Sequence, residues 1–157
     1  FHNHMSIEMI LPFFDMKSSS FKTLVNSIRF KLFEEVAKSD LAGLIFTYVW
    51  QLDSKNDCDF INRIVKIFEH ENATVCYVEL EACVEERLKR NKSPNRLKCK
   101  PSKNDLVAAE MELLETDHKH ILNSEKNEFK NKNHLKINNT KLNADRVAGM
   151  IKERVAF

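Results

Sequence analysis

Apolar side chains recur with a helical period over most of this chain and collect into short β-branched or aromatic runs at three places. Met5 to Phe14 reads as a short apolar helix ending near Pro12 to Asp15, and Ser18-Ser19-Ser20 supplies a turn and a cap for the next. In that longer helix Phe21, Leu24, Val25, Ile28, Leu32 and Val36 keep the 3.6-residue period, and Ser39-Asp40 closes it. Gly43 to Val49 is apolar on both faces, as in a buried parallel strand. A helix from about Asp57 to Glu71 follows, with its stripe on Phe60, Ile61, Ile64, Val65 and Phe68 and with Asp57 and Asp59 near its positive end.

Ala73 to Leu80 reads as a second strand, Cys83 to Asn91 as a helix, and Asp105 to Leu122 as another capped by Asn104 or Asp105. Asn123 to Asn133 is polar and reads as a surface loop. Leu135-Lys136-Ile137 is a short third strand, and Asn143 caps a last helix carrying Val147, Ile151 and Val155. Strands alternating with helices predict an α/β fold, a three-layer doubly wound parallel sheet with flanking helices. Three strands make that sheet thin, so the expectation is that the chain as given lacks its first strands.

Charge alters this picture at one place. Eight Lys or Arg and no acid occupy the seventeen positions from Arg87 to Lys103, while the remaining residues hold seventeen bases against twenty-three acids. A basic segment of this kind, broken by Pro94 and Pro101, suits an oxyanion of high charge or, more simply, a solvated loop and helix end. The net charge of +2 gives no global argument for nucleic acid, and 157 residues fit one domain. Four cysteines without C-x-x-C spacing read as reduced thiols, and the longest apolar run, Leu41 to Trp50, is about half of a membrane span. Gly43 and Gly149 are the only glycines, so neither a G-x-x-x-x-G-K-[ST] nor a G-x-G-x-x-G phosphate cradle is present.

Three stretches together resemble the P-loop small-molecule kinases of the shikimate kinase and adenylate kinase type. Phe1-His2-Asn3-His4-Met5 is similar to the sequence following the second strand in a shikimate-kinase-like group of ATPases. Glu85 to Asn91, continuing through Asn95-Arg96-Leu97 to Lys100-Pro101-Ser102, is similar to the Arg-bearing lid that closes over ATP, here at about residues 87–104. Ile137-Asn138-Asn139-Thr140 is similar to the loop beside the adenine. The resemblance implies a P-loop NTPase-like fold that is N-terminally incomplete, a single kinase-like domain over residues 1–157 without its P-loop. Two departures stand out: Thr47-Tyr48-Val49-Trp50 replaces a glycine-rich substrate loop, and His2 and His4 replace an acidic pair.

The resemblance implies ATP with Mg²⁺ as cofactors and a small-molecule acceptor as the other partner, while the reduced thiols suit a cytoplasmic location. Arg87, Arg90 and Arg96 are then the groups for the transferring phosphate, with Arg87 and Arg90 on one helix face; ion pairs to Glu85 or Glu86 are the plainer alternative. Asn139 and Thr140 would meet the nucleotide, or serve as turn and cap residues. His2, Asn3, His4, Arg29 and Trp50 would line the acceptor site; Arg29 could instead lie on a solvated face near Glu34 and Glu35. No Cys, Asp or Glu nearby completes a tetrahedral metal set with the two histidines, and no metal site is assigned.

The expected function is therefore phosphoryl transfer from ATP to an unidentified metabolite, impaired without a P-loop. The alternative is a non-catalytic anion- or nucleic-acid-binding module using the basic flap, against which stands the lack of aromatic residues within the flap. An incomplete sheet would also leave an edge open to oligomerisation.

Overall fold

The computed structural model describes residues 1–125, 129 and 133–155. Its order is α1 (His4–Ile10), α2 (Ser19–Lys38), α3 (Lys55–His70), β1 (Tyr77–Glu81), α4 (Val84–Asn91), α5 (Pro94–Cys99), a 3₁₀ turn (Pro101–Lys103), α6 (Leu106–Lys119), β2 (His134–Asn138) and α7 (Ala144–Arg154). Side-chain caps start the longer helices where the sequence signals them. Ser18 accepts from Phe21 N, Asp105 from Ala108 N and Asn143 from Arg146 N. α3 ends ahead of Asn72, whose φ of 61° is tolerated because Asn enters the left-handed region at low cost.

α2 packs on two partners along its length. Its first half closes over α1 through Phe21, Val25 and Ile10, flanked by Ile7, Leu11 and Ile28. Its second half meets α3 and the extended segment 44–46 through Phe30, Phe33 and Ile64, with Phe1, Leu44, Phe46, Phe60 and Phe68 around them. Phe33 is fully excluded from water and lies 5.0 Å from the Phe46 ring and 6.0 Å from Phe1. The change of partner explains why Leu24, expected in the stripe, is exposed while Phe33 is buried.

The doubly wound three-layer sheet is not formed. Among the described residues the sheet has two strands, β1 and β2, paired in parallel from Tyr77↔His134 to Glu81↔Asn138. The expected strand at Gly43 to Val49 is reduced to one parallel bridge between Thr47 and His2. The physical reason lies in one-sided burial. Ile45 and Val49 are 70% and 60% exposed, whereas Leu44, Phe46, Tyr48 and Trp50 between them are turned inward. A run of β-branched and aromatic residues does not distinguish a strand covered on both faces from a segment lying on helices with one face open.

Residues 126–128 and 130–132 of the expected loop lie outside the described residues. The described part is not purely a surface feature: Ser124 is buried, and its backbone N and side chain, with Asn123 Nδ2, donate to Glu79 on β1. Burial alone would raise the Glu79 pKa, but these donors and the Lys136 ammonium outweigh it and hold the carboxyl at about 2.

Candidate functional site

α4 follows the C-terminal end of β1 with Glu85 and Glu86 in its first turn and Lys89 and Arg90 in its last, the order that suits the helix dipole. Arg87 and Arg90 nevertheless part company. Arg87 pairs with Asp117 of α6. Arg90 donates from Nε to Glu86 (2.8 Å), from Nη1 to Asn139 Oδ1 (3.0 Å) and from Nη2 to the Asn139 carbonyl (2.7 Å). Most of its five donors are thereby used inside the protein. Asn139 N donates to the Glu81 carbonyl at 2.8 Å, and Thr140 Oγ1 accepts from Cys83 N at 3.0 Å. The structure thus brings Arg90 together with Asn139 and Thr140, as an internal tie that holds the β2–α7 loop against α4.

Arg29 is buried, and the solvated alternative near Glu34 and Glu35 is corrected. Its Nε donates to Ser6 Oγ at 2.8 Å and its Nη2 to Asn3 O and Oδ1 at 3.1 and 3.2 Å. Burial lowers its pKa because these partners are neutral. Arg29 and Asn3 therefore bind the start of the chain to α2. Trp50 stands apart, with its ring 6.2 Å from Tyr77 and 5.6 Å from Phe129. Tyr77 opens β1, so Trp50 lies at the opposite end of the sheet from Asn139, a strand length of about 13 Å away.

Of the remaining residues, His2 and His4 lie within reach of the Lys100 charge, and Arg96 stands on α5 four residues before Lys100, with neighbours that sequence reasoning missed. Ser93 caps α5, Pro94 occupies its first turn, and Arg96 and Lys100 follow four residues apart. Arg96 Nη1 donates to the Asn91 carbonyl at 3.2 Å. Pro101 then starts the 3₁₀ turn, where Ser102 N donates to both carboxylate oxygens of Glu8 at 3.2 Å and its hydroxyl donates to Oε1. Glu8 Oε1 also lies 3.4 Å from His4 Nδ1. An acid does therefore reach His4, four residues on along α1.

Most of the basic segment is neutralised locally. Arg87 pairs with Asp117, Lys89 and Arg90 with Glu86, Lys92 with Glu110 at 2.7 Å, and Lys103 with Glu112. Among the described residues Arg96, Lys98 and Lys100 form no ion pair. Lys98 is solvated, whereas Arg96 and Lys100 are half-buried. Burial, and then the charges of Arg96 and Lys103, lower the Lys100 pKa. Burial and then Lys100 lower both imidazoles, taking His4 from 6.5 to about 4. His2 Nδ1 is buried with no hydrogen-bond partner. Two unpaired cations, two neutral imidazoles and an unused ring nitrogen make a cluster suited to an anion.

His4 carries a pH prediction. Its folded pKa lies below the unfolded value, so its contribution is present above pH 6.5 and is lost as pH falls through about 4. His2 shifts in the same direction. Urea unfolding at pH 7, 5.5 and 4.5 should show a loss on the order of 1–2 kcal/mol, most of which is absent from His4→Asn.

Two open troughs of about 380 and 520 Å³ lie elsewhere, between α2 and α3, and share Glu34 and Arg63. Arg63 stacks over the Phe30 ring at 3.6 Å, and the acids Glu34 and Glu71 offset the bases there, which leaves them less suited to an anion than the Lys100 cluster. Among the described residues no group of three or more His, Cys, Asp or Glu could hold a metal ion, and no helix is long and apolar enough to cross a membrane. All four cysteines are free. Compared with known proteins, the chain matches no family model, no curated protein and no solved structure.

Proposed function

We propose that the chain binds the phosphates of a nucleotide at the Arg96–Lys100 cluster and serves ATP-dependent phosphoryl transfer to a small metabolite. The observation that carries this reading is the half-buried Lys100, which forms no ion pair among the described residues and whose charge acts on both His2 and His4. An uncompensated cation in a partly dry site is costly to a protein and useful to an anionic ligand. Arg96 supplies a planar fork and Lys100 a point charge to the phosphate oxygens. His2 offers its unused ring nitrogen. His4, at a pKa of about 4, is too weak a base to take a hydroxyl proton in the free protein; a bound phosphate would raise it toward a useful value.

In this reading Arg87 and Arg90 position α4 and the β2–α7 loop instead of touching phosphate, and Asn139 and Thr140 are held by that same tie. Mg²⁺ would accompany the nucleotide as the counter-ion of its phosphates. The likeness to P-loop small-molecule kinases supports the reading at Arg96, Lys100 and Ser102. Because no glycine-rich cradle occurs among these 157 residues, anion binding is expected of the chain itself and turnover only when such a loop is supplied. The free thiols accord with a cytoplasmic location.

Isothermal titration of tripolyphosphate, Mg-ATP and a single-stranded oligonucleotide at two salt concentrations tests the proposal. Saturable binding of tripolyphosphate and Mg-ATP that is lost in Arg96→Ala is the expected result. Binding of the oligonucleotide alone, with affinity falling steeply with salt, would favour the non-catalytic alternative. Absence of binding to all three would sink both.

A further inference from the structure

The basic segment is fastened to α1 at one carboxylate. Glu8 accepts from Ser102 N on both oxygens and from Ser102 Oγ on one, across ninety-four residues of sequence, and that same oxygen faces His4. Ser102 belongs to the turn in which Lys103 N donates to the Lys100 carbonyl at 2.9 Å and Asn104 N to the Pro101 carbonyl at 3.1 Å. Fixing Ser102 therefore fixes the backbone that carries Lys100. Without this fastening the Lys100 ammonium would turn to water, where it is better solvated than beside Arg96, Lys103 and two imidazoles.

We infer that Glu8 is the catch of a latch that holds residues 100–103 against α1 beside His4, and that anion binding depends on the latch being closed. The inference rests on the anion-site reading above for its second half. It reverses what simple electrostatics expects. Glu8 is a negative charge next to the site, so removing it should strengthen anion binding if it acts only through its field. If it acts as a catch, removing it weakens binding, because the ligand must then order the segment itself.

Glu8→Ala removes both the charge and the acceptors, whereas Glu8→Gln removes the charge and keeps an amide oxygen for Ser102. The latch predicts that Glu8→Ala lowers tripolyphosphate affinity about tenfold and that Glu8→Gln stays within about threefold of the parent chain. It also predicts that trypsin cuts after Lys98 and Lys103 about tenfold faster in Glu8→Ala, with no change at Lys31 in α2, which reports on the fold as a whole. Equal or tighter anion binding in both variants, with unchanged cleavage, overturns the latch. A parent chain that binds no tripolyphosphate overturns the anion site and with it the coupling, and the cleavage rates then decide the catch alone.

Discussion

Lys100→Met should weaken tripolyphosphate binding by about 10- to 100-fold while raising the stability of the free protein. Both effects have one cause. The ammonium is half-buried, forms no ion pair among the described residues, and sits beside Arg96 and Lys103, so burial and like charge disfavour its protonated form. Methionine fills a similar volume without the desolvation cost and removes the charge that an anion would use. Near neutral pH the gain should be about 1 kcal/mol in urea unfolding. Because the folded pKa lies below the unfolded value, the unfolded chain holds the proton more tightly, and parent stability rises as pH approaches the ordinary value of 10.5. The gap between parent and variant should therefore close toward that pH. A Lys100→Met chain that is less stable and binds the anion unchanged would show Lys100 to be a packing residue.

Phe33→Ala should cost about 3–5 kcal/mol, enough to unfold much of a chain of ordinary stability. Phe33 is 0% exposed and contacts the rings of Phe1, Phe30, Phe46 and Phe68, so it joins α2, α3, the start of the chain and the segment 44–46. Because Phe1 and Phe46 flank the His2–Thr47 bridge, the loss should reach the candidate site as well. Thermal unfolding followed by far-UV circular dichroism checks the first effect, and tripolyphosphate titration below the melting temperature checks the second. Phe33→Leu, which keeps most of the volume, should recover more than half of the loss.

Helices were the most legible part of this protein because their signals are local. Ser18, Asp105 and Asn143 satisfy backbone N–H groups within three residues, and Phe60, Ile61, Ile64 and Phe68 of α3 lie on one face with no reference to the rest of the chain. The candidate site was legible in part. Lys100-Pro101-Ser102, within the stretch likened to a lid, does reach His4 through Glu8. Glu8 carried no signal, since its partner lies ninety-four residues away. Arg87 and Arg90 were well placed on α4, but Asp117, Glu86 and Asn139 claim them, and nothing in their own helix shows which acids tertiary packing will bring.

What the amino-acid sequence determined by itself was the longer helices and most of their caps, but not the short α5 inside the basic segment, together with the concentration of charge between Arg87 and Lys103 and the want of a glycine-rich cradle. These follow from spacing and residue type within a few positions of one another. Tertiary structure alone decided that Gly43 to Val49 lies one-sidedly on α2 and α3 in place of a central strand, that Arg29 is buried on neutral partners, and that Lys100, without an ion pair among the described residues, lies within reach of two histidines. Strand pairing, burial and ion pairing are settled between residues distant in sequence, where the same side chain is stable in several surroundings and only the packed chain selects one.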